Sequence, residues 1–120
     1  REYKNQNNMR VKVKLVVFRH PEPAKWGVFC SYCPAIKEFQ GRGKTIEDVV
    51  NIVTRILEIR LSKGCMTRSL RNFGWSIMEN SLIPPIFTDE ELLRLTEGHY
   101  GLRVTDYQII ELNGEVTHRR

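Results

Sequence analysis

The segment Gly41-Arg42-Gly43-Lys44-Thr45-Ile46-Glu47-Asp48 marks the end of an extended strand, a sharp turn and the start of a helix. Gly41 and Gly43 allow backbone angles that other residues resist. The Thr45 hydroxyl can accept a hydrogen bond at the start of the helix, and Asp48 follows at the spacing of a capping box. The sequence therefore predicts a strand-to-helix corner whose structural residues are Gly41, Gly43, Thr45 and Asp48.

The apolar residues after this corner follow the period of an α-helix. They recur at spacings of three and four, which places them on one face: Ile46, Val49, Val50, Val53, Ile56, Leu57 and Leu61. Gly64 is a plausible stop, and Arg60 and Lys63 suit the negative end of the helix dipole. We expect a helix from Thr45 to Lys63 that covers the apolar face of a sheet.

Three extended segments are predicted before this helix. Val11 to Val17 alternates apolar residues with lysines, which is typical of a strand with one buried face. Two prolines end that strand, and Trp26 to Ser31 is a second candidate that is rich in aromatic and β-branched residues. Ala35 to Gln40 is the third, although its residue types also fit a helical turn.

The second half of the chain combines shorter elements. The sequence predicts a short helix, a brief strand and a proline-containing connector at Thr67–Phe73, Trp75–Met78 and Leu82–Phe87. Thr88 begins a second helix with a capping-box spacing. Asn113-Gly114 lies between two strand-like segments, 104–112 and 115–118, and is the strongest hairpin signal in the chain.

Together these elements predict an α+β fold. A three-stranded antiparallel sheet is covered by one amphipathic helix, with a C-terminal helix and β-hairpin extension. The 120 residues fit one domain. We expect residues 9–66 to form a β-β-β-α module and residues 67–120 to pack on it as an α/β extension. Residues 1–8 are polar and are interpreted as a disordered or engineered end outside the fold.

The formal net charge of +5 is unevenly distributed. Residues 1–72 carry 15 Lys and Arg against 6 Asp and Glu, a balance of +9, whereas residues 73–120 carry 4 against 8, a balance of −4. Arg10, Lys12 and Lys14 lie on one face of the first strand and leave DNA or RNA binding open, because basic faces attract phosphates. The alternative is a solvent-exposed face opposite the core.

The sequence indicates neither a membrane span nor a disulfide-bonded protein. No apolar run approaches the roughly 18 residues of a membrane-spanning helix, so we expect no membrane partner. Three cysteines are an odd number, whereas disulfide frameworks need pairs. A reducing, cytoplasmic location is the simpler interpretation.

Cys30-Ser31-Tyr32-Cys33-Pro34 is a second motif with chemical meaning. Thioredoxin-like and glutaredoxin-like proteins present a low-pKa thiolate from a Cys-x-x-Cys pair between a strand and a helix. Here the segment after Cys33 extends only to Gln40 before the glycines, which is short for that helix. A thiol oxidoreductase using Cys30 and Cys33 is the alternative function, and two small residues at a strand end are the structural interpretation.

No other pattern indicates a catalytic, cofactor-binding or metal-binding residue. Cys65 is not accompanied by a second Cys-x-x-Cys or a His-x-x-x-His, which zinc sites use. His20, His99 and His118 are spread over loops and termini, where we interpret them as solvent-facing or hydrogen-bonded. We therefore expect neither a cofactor nor a metal.

The order of strand, loop, strand, proline, glycine turn and helix resembles the HicB-like antitoxin domain family. The residues that carry the resemblance are Trp26-Gly27-Val28-Phe29-Cys30, Pro34 and the run from Gly41 to Val50, within residues 11–63. The family's usual Pro-Gly turn reads Pro34-Ala35 here. The C-terminal half shows neither a helix-turn-helix nor a ribbon-helix-helix pattern.

The resemblance implies a fold like a truncated ribonuclease H sheet without its catalytic acids. It also implies a non-enzymatic role, in which the chain binds and neutralises a small basic toxin that cleaves RNA. Members commonly self-associate, so a homodimer or higher oligomer is expected. The −4 balance of residues 73–120 agrees with a basic partner, because an RNA-cleaving protein carries positive charge to bind its substrate.

Overall fold

A computed structural model describes residues 7–22, 28–36, 41–62, 67–78 and 81–118. The chain forms an α+β fold, as the sequence predicts. Its elements, in chain order, are β1 Asn7–Arg19, β2 Phe29–Tyr32, β3 Arg42–Gly43, α1 Ile46–Ser62, α2 Thr67–Asn72, β4 Ser76–Met78, β5 Ser81–Ile83, α3 Asp89–Tyr100 and β6 Tyr107–His118.

The main sheet has four antiparallel strands in the order β3-β2-β1-β6, not the three that the sequence predicts. The additional strand is the C-terminal one, which pairs with β1 from Asn7↔His118 to Phe18↔Tyr107. Strands β4 and β5 form a separate two-stranded sheet. The C-terminal half therefore completes the main sheet.

The predicted hairpin at Asn113-Gly114 is wrong, because both residues lie within the single strand β6. Gly114 pairs with Val11 and is buried. A Cβ atom at this position would lie 2.8 Å from Leu57 Cδ2, which is closer than real carbon contacts allow. The glycine thus makes room for α1 rather than for a turn.

Side chains along β1 alternate between the two faces of the sheet, and each face packs in its own hydrophobic core. Val11, Val13, Leu15 and Val17 pack on one face against the buried residues of α1. Val16 and Phe18 point the other way and pack with Leu92 of α3. The prediction of a single covering helix is therefore incomplete, since α3 covers part of the second face.

The second and third strands differ from the prediction. Strand β2 begins at Phe29, and Trp26 and Gly27 lie outside the described residues. Residues 34–36 form a turn rather than a strand, and residues 37–40 also lie outside the described part. The third strand is the two-residue β3, whose Arg42 pairs with Cys30.

The elements of the second half follow local signals more closely. Gly74, at φ +97°, follows the short helix α2. Thr88 accepts a hydrogen bond from the Glu91 N–H, and the Glu91 carboxylate accepts one from the Thr88 N–H, so the predicted capping box is complete. Residues 81–83 form β5, so the connector begins at residue 84 rather than at the predicted Leu82, and it extends to residue 88.

The N-terminal prediction is wrong for two residues. Asn7 and Asn8 belong to β1 and pair with His118 and Thr117. Residues 1–6 lie outside the described part of the chain. The long antiparallel ladder with β6 extends β1 beyond its apolar alternation, because backbone pairing does not require apolar side chains.

Candidate functional site

The strand-to-helix corner contains β3 and the start of α1, and hydrogen bonds hold it against β2. The Gly41 N–H donates to Ser31 Oγ at 3.0 Å, and the Ser31 hydroxyl donates to the Gly41 carbonyl at 3.2 Å. The Asp48 N–H donates to Thr45 Oγ1 at 3.0 Å, which places Thr45 as the N-terminal cap of α1. The corner fixes where α1 crosses the sheet.

The two glycines of the corner provide space rather than unusual backbone angles. Among the described glycines, only Gly74 and Gly101 have positive φ. A Cβ atom at Gly41 would lie 2.7 Å from Val53 Cγ2, and one at Gly43 would lie 2.9 Å from Asp48 Cβ. The helix therefore packs directly against the backbone of this corner.

Cys30 and Cys33 lie in different cores on the two faces of the sheet. Cys30 packs with Phe18 and Leu92 beneath α3, whereas Cys33 packs with the residues beneath α1. Each is a free thiol with 1% of its surface exposed. Residues three apart near a strand point to opposite faces, so the sheet separates the two sulfur atoms.

The environment of both thiols favours the protonated form. Burial raises the pKa of Cys33 to about 12. Burial also raises the pKa of Cys30, although the Arg42 guanidinium acts in the opposite direction. A reactive cysteine needs a lowered pKa and access to solvent, and neither residue combines the two.

Thiol labelling provides a direct check of this environment. We expect Cys30 and Cys33 in the folded chain to remain unmodified by iodoacetamide at about pH 7.5 while both react fully in urea. Peptide mapping by mass spectrometry assigns the labelled positions and separates them from Cys65. Rapid labelling of Cys30 below about pH 8 in the folded protein would contradict the expectation and restore the oxidoreductase interpretation.

The basic residues of β1 do not form an uninterrupted cationic face. Lys12 and Lys14 are exposed on the side opposite α1. Lys14 pairs across the ladder with Glu111 and lies 3.7 Å from the Asp89 carboxylate. Alternating charges of this kind weaken attraction to a phosphate backbone.

The outer edge of β6 is open along the described part of the chain, where no further strand pairs with it. The Arg19 N–H donates to the Asp106 carbonyl at 3.1 Å, so Arg19 and Asp106 are a hydrogen-bonded pair at the end of the β1–β6 ladder. Hydrogen-bonded and non-hydrogen-bonded pairs alternate in antiparallel strands. Counting from Asp106, the N–H and C=O groups of Tyr107, Ile109, Glu111 and Asn113 point away from β1.

A cleft of about 390 Å³ opens beside α3, and its position is not evident from sequence. Its lining comes from the end of β1, from β2 and β3, and from the end of α3 and the segment after it. The lining residues are His20, Glu22, Cys30, Arg42, His99, Tyr100 and Leu102. His20 and His99, which are far apart in sequence, are thereby brought together, whereas His118 lies at the end of β6.

Hydrogen bonds and ring contacts fix the walls of this cleft. Nδ1 of His20 accepts a hydrogen bond from the Glu22 N–H at 2.9 Å, so the neutral ring carries its hydrogen on Nε2. The Tyr100 hydroxyl donates to the Ser31 carbonyl at 2.6 Å. His99 stacks on Tyr32 with a centroid distance of 4.4 Å.

The described residues contain no group of three His, Cys, Asp or Glu side chains placed to hold a metal ion. None of the described helices combines the length and apolar character needed to cross a membrane. Comparisons with models of protein families, with curated proteins and with solved structures found no match to this chain. The site must therefore be interpreted from its own geometry.

Proposed function

We propose that the chain is a non-enzymatic binding module that acts as a HicB-like antitoxin and neutralises a small, basic, RNA-cleaving toxin by protein–protein binding. The observation that carries this proposal is the open edge of the 12-residue strand β6. A long strand with unpaired backbone groups readily adds a strand from another chain. The opposite edge of the sheet is the two-residue strand β3, which offers far less pairing.

The charge of this edge supports a basic partner. Strand β6 contains Glu111 and Glu115 but neither Lys nor Arg. Two nearby carboxylates are ion-paired, Asp106 with Arg19 at 3.5 Å and Asp89 with Lys14 at 3.7 Å. Glu90 and Glu91 in the first turn of α3 are exposed and add further negative charge. An acidic edge attracts a basic strand and disfavours direct pairing of Glu111 with its own copy. A second copy, as in the expected homodimer, is the competing occupant of the edge.

The surroundings of the cysteines do not favour the alternative function. A dithiol enzyme must bring its two sulfur atoms together and expose one of them as a thiolate. Here the sulfur atoms lie in separate cores, and burial raises the pKa of both groups. We therefore do not propose a thiol oxidoreductase.

Proline at position 111 tests the proposed edge. The Glu111 N–H points outward and its side chain is exposed, so Glu111→Pro removes an edge donor without removing a bond to β1. We expect the affinity for the proposed basic toxin to fall at least about tenfold, because the ring also blocks strand addition. Calorimetry on the purified pair measures the change.

Glu111→Ala is the matched control because it retains the N–H. We expect it to weaken binding only a few-fold through the lost charge, and this part of the effect should diminish with added salt. Equal affinities of the Pro and Ala variants would exclude β6 as the binding edge. Light scattering of the chain alone shows whether Glu111→Pro instead abolishes a homodimer, which would assign the edge to a second copy.

A further inference from the structure

The cleft beside α3 has the size and lining of a small-molecule site, separate from the β6 edge. Its volume of about 390 Å³ lies within the roughly 300–1,000 Å³ of ligand pockets in proteins. A second groove, lined by Lys12, Lys14 and residues 84–87, measures only about 200 Å³. The larger cleft is the better candidate for an enclosed ligand.

Hydrogen-bond donors converge on this cleft from three elements. Arg42 of β3 carries a permanent positive charge. His20 has 9% of its surface exposed and holds its neutral-form hydrogen on Nε2, because Nδ1 accepts from the Glu22 N–H. His99 of α3 adds a second imidazole ring to the lining. Guanidinium and imidazole groups are the usual partners of phosphate and carboxylate oxygens.

The charge of Arg42 reaches the interior of the cleft. Burial raises the pKa of Tyr100, and the Arg42 guanidinium acts against that rise. The same guanidinium acts against the rise that burial causes at Cys30. The Glu22 carboxylate also lines the cleft. The Arg42 guanidinium therefore acts on two walls of the cleft, Tyr100 and Cys30, where its charge attracts an anion.

The remaining walls are apolar and aromatic. Tyr100 contacts Phe18 edge to face, with ring centroids 4.9 Å apart, so its ring is held firmly. Leu102 lines the cleft beside it. A flat apolar group gains most from such walls.

From this arrangement we propose that the cleft binds a small organic anion, in which an aromatic body rests against Tyr100 and Leu102 while a phosphate or carboxylate group contacts Arg42 and His20. The site does not depend on the β6 edge. Ligand binding here and partner binding at β6 can therefore succeed or fail independently.

Phenyl phosphate and benzoate are suitable probes, with phenol as the uncharged reference. Titration followed by NMR of the histidine and tyrosine rings should show saturation by at least one of the two anions, with a dissociation constant on the order of 1 mM. The tighter anion identifies the acid group. Phenol should bind at least about tenfold more weakly, because it lacks a charge-assisted hydrogen bond.

Arg42→Gln should weaken anion binding at least about tenfold. The side chain is exposed, so this variant is expected to fold. Arg55→Gln, an exposed change on α1 at the other face of the sheet, is the matched control and should leave binding unchanged. The proposal is overturned if neither anion saturates the folded protein by about 10 mM, or if the two variants bind alike.

Discussion

Val53→Asp is expected to unfold the chain or nearly so. Val53 lies in the middle of α1 with 0% of its surface exposed and packs in the core beneath the sheet. Burying a carboxylate there without a partner costs several kcal/mol, and the contacts of the valine side chain are lost as well. We expect a loss of at least about 4 kcal/mol in the free energy of unfolding, against a total of about 5–15 kcal/mol for a typical domain.

Urea denaturation followed by circular dichroism measures this loss. Ile52→Asp is the matched control, because Ile52 is the preceding residue of the same helix and 42% of its surface is exposed. The control should change the free energy of unfolding by less than about 1 kcal/mol. The two variants should differ most at neutral pH, because an acidic solution protonates the buried carboxyl group and removes the cost of its charge. Similar losses for the two variants would show that this face of α1 does not form the core.

Features that depend on neighbouring residues can be predicted from sequence. The prediction for helix α1 is correct within about one residue at each end, because its apolar spacing and the Thr45 cap are local signals. The capping box at Thr88 is present for the same reason. The α+β class follows from these helices together with the alternation along β1.

Features that depend on distant residues cannot be predicted in this way. Asn113-Gly114 has the composition of a hairpin turn, but its geometry is determined by contact with Leu57, which lies far earlier in the chain. The pairing of β6 with β1 likewise connects the two ends of the chain. A local turn signal does not carry this information, so the sequence predicts the strand-like segments 104–112 and 115–118 but not their union into one strand that pairs with β1.

The candidate sites also depend on contacts between residues that are distant in the sequence, so they cannot be predicted from local patterns. The direction of the β6 backbone groups follows from the ladder with β1, so the binding edge cannot be identified before that pairing is known. The cleft brings His20, Arg42 and His99 together from three elements. An aromatic residue near each histidine, such as Tyr32 beside His99, becomes informative only once the sheet order is established.

Gly41→Ala is the second large effect that we expect, and it tests why the corner contains glycine. The new Cβ atom would lie 2.7 Å from Val53 Cγ2 and 3.2 Å from Val49 Cγ1. Both valines are fully buried, so neither can move without disturbing the core. Overpacking of this kind costs about 1–3 kcal/mol of the free energy of unfolding.

Gly98→Ala is the matched control. Nothing lies within 4 Å of its added Cβ atom in α3, and alanine is more favourable than glycine in a helix by up to about 1 kcal/mol, so this variant should not be destabilised.

A double-mutant cycle tests whether the contact with Val53 is the steric reason for the glycine. Val53→Ala removes the methyl group that the new Cβ atom at position 41 would meet, at the cost of a cavity. If space is the reason for the glycine, Gly41→Ala should cost at least about 0.5 kcal/mol less in the Val53→Ala background than in the wild type. An equal cost in both backgrounds would show that the contact with Val53 is not the reason for the glycine. The remaining steric neighbours of the new Cβ atom, Val49 Cγ1 and Ser31 Oγ at 3.2 Å, would then account for the cost.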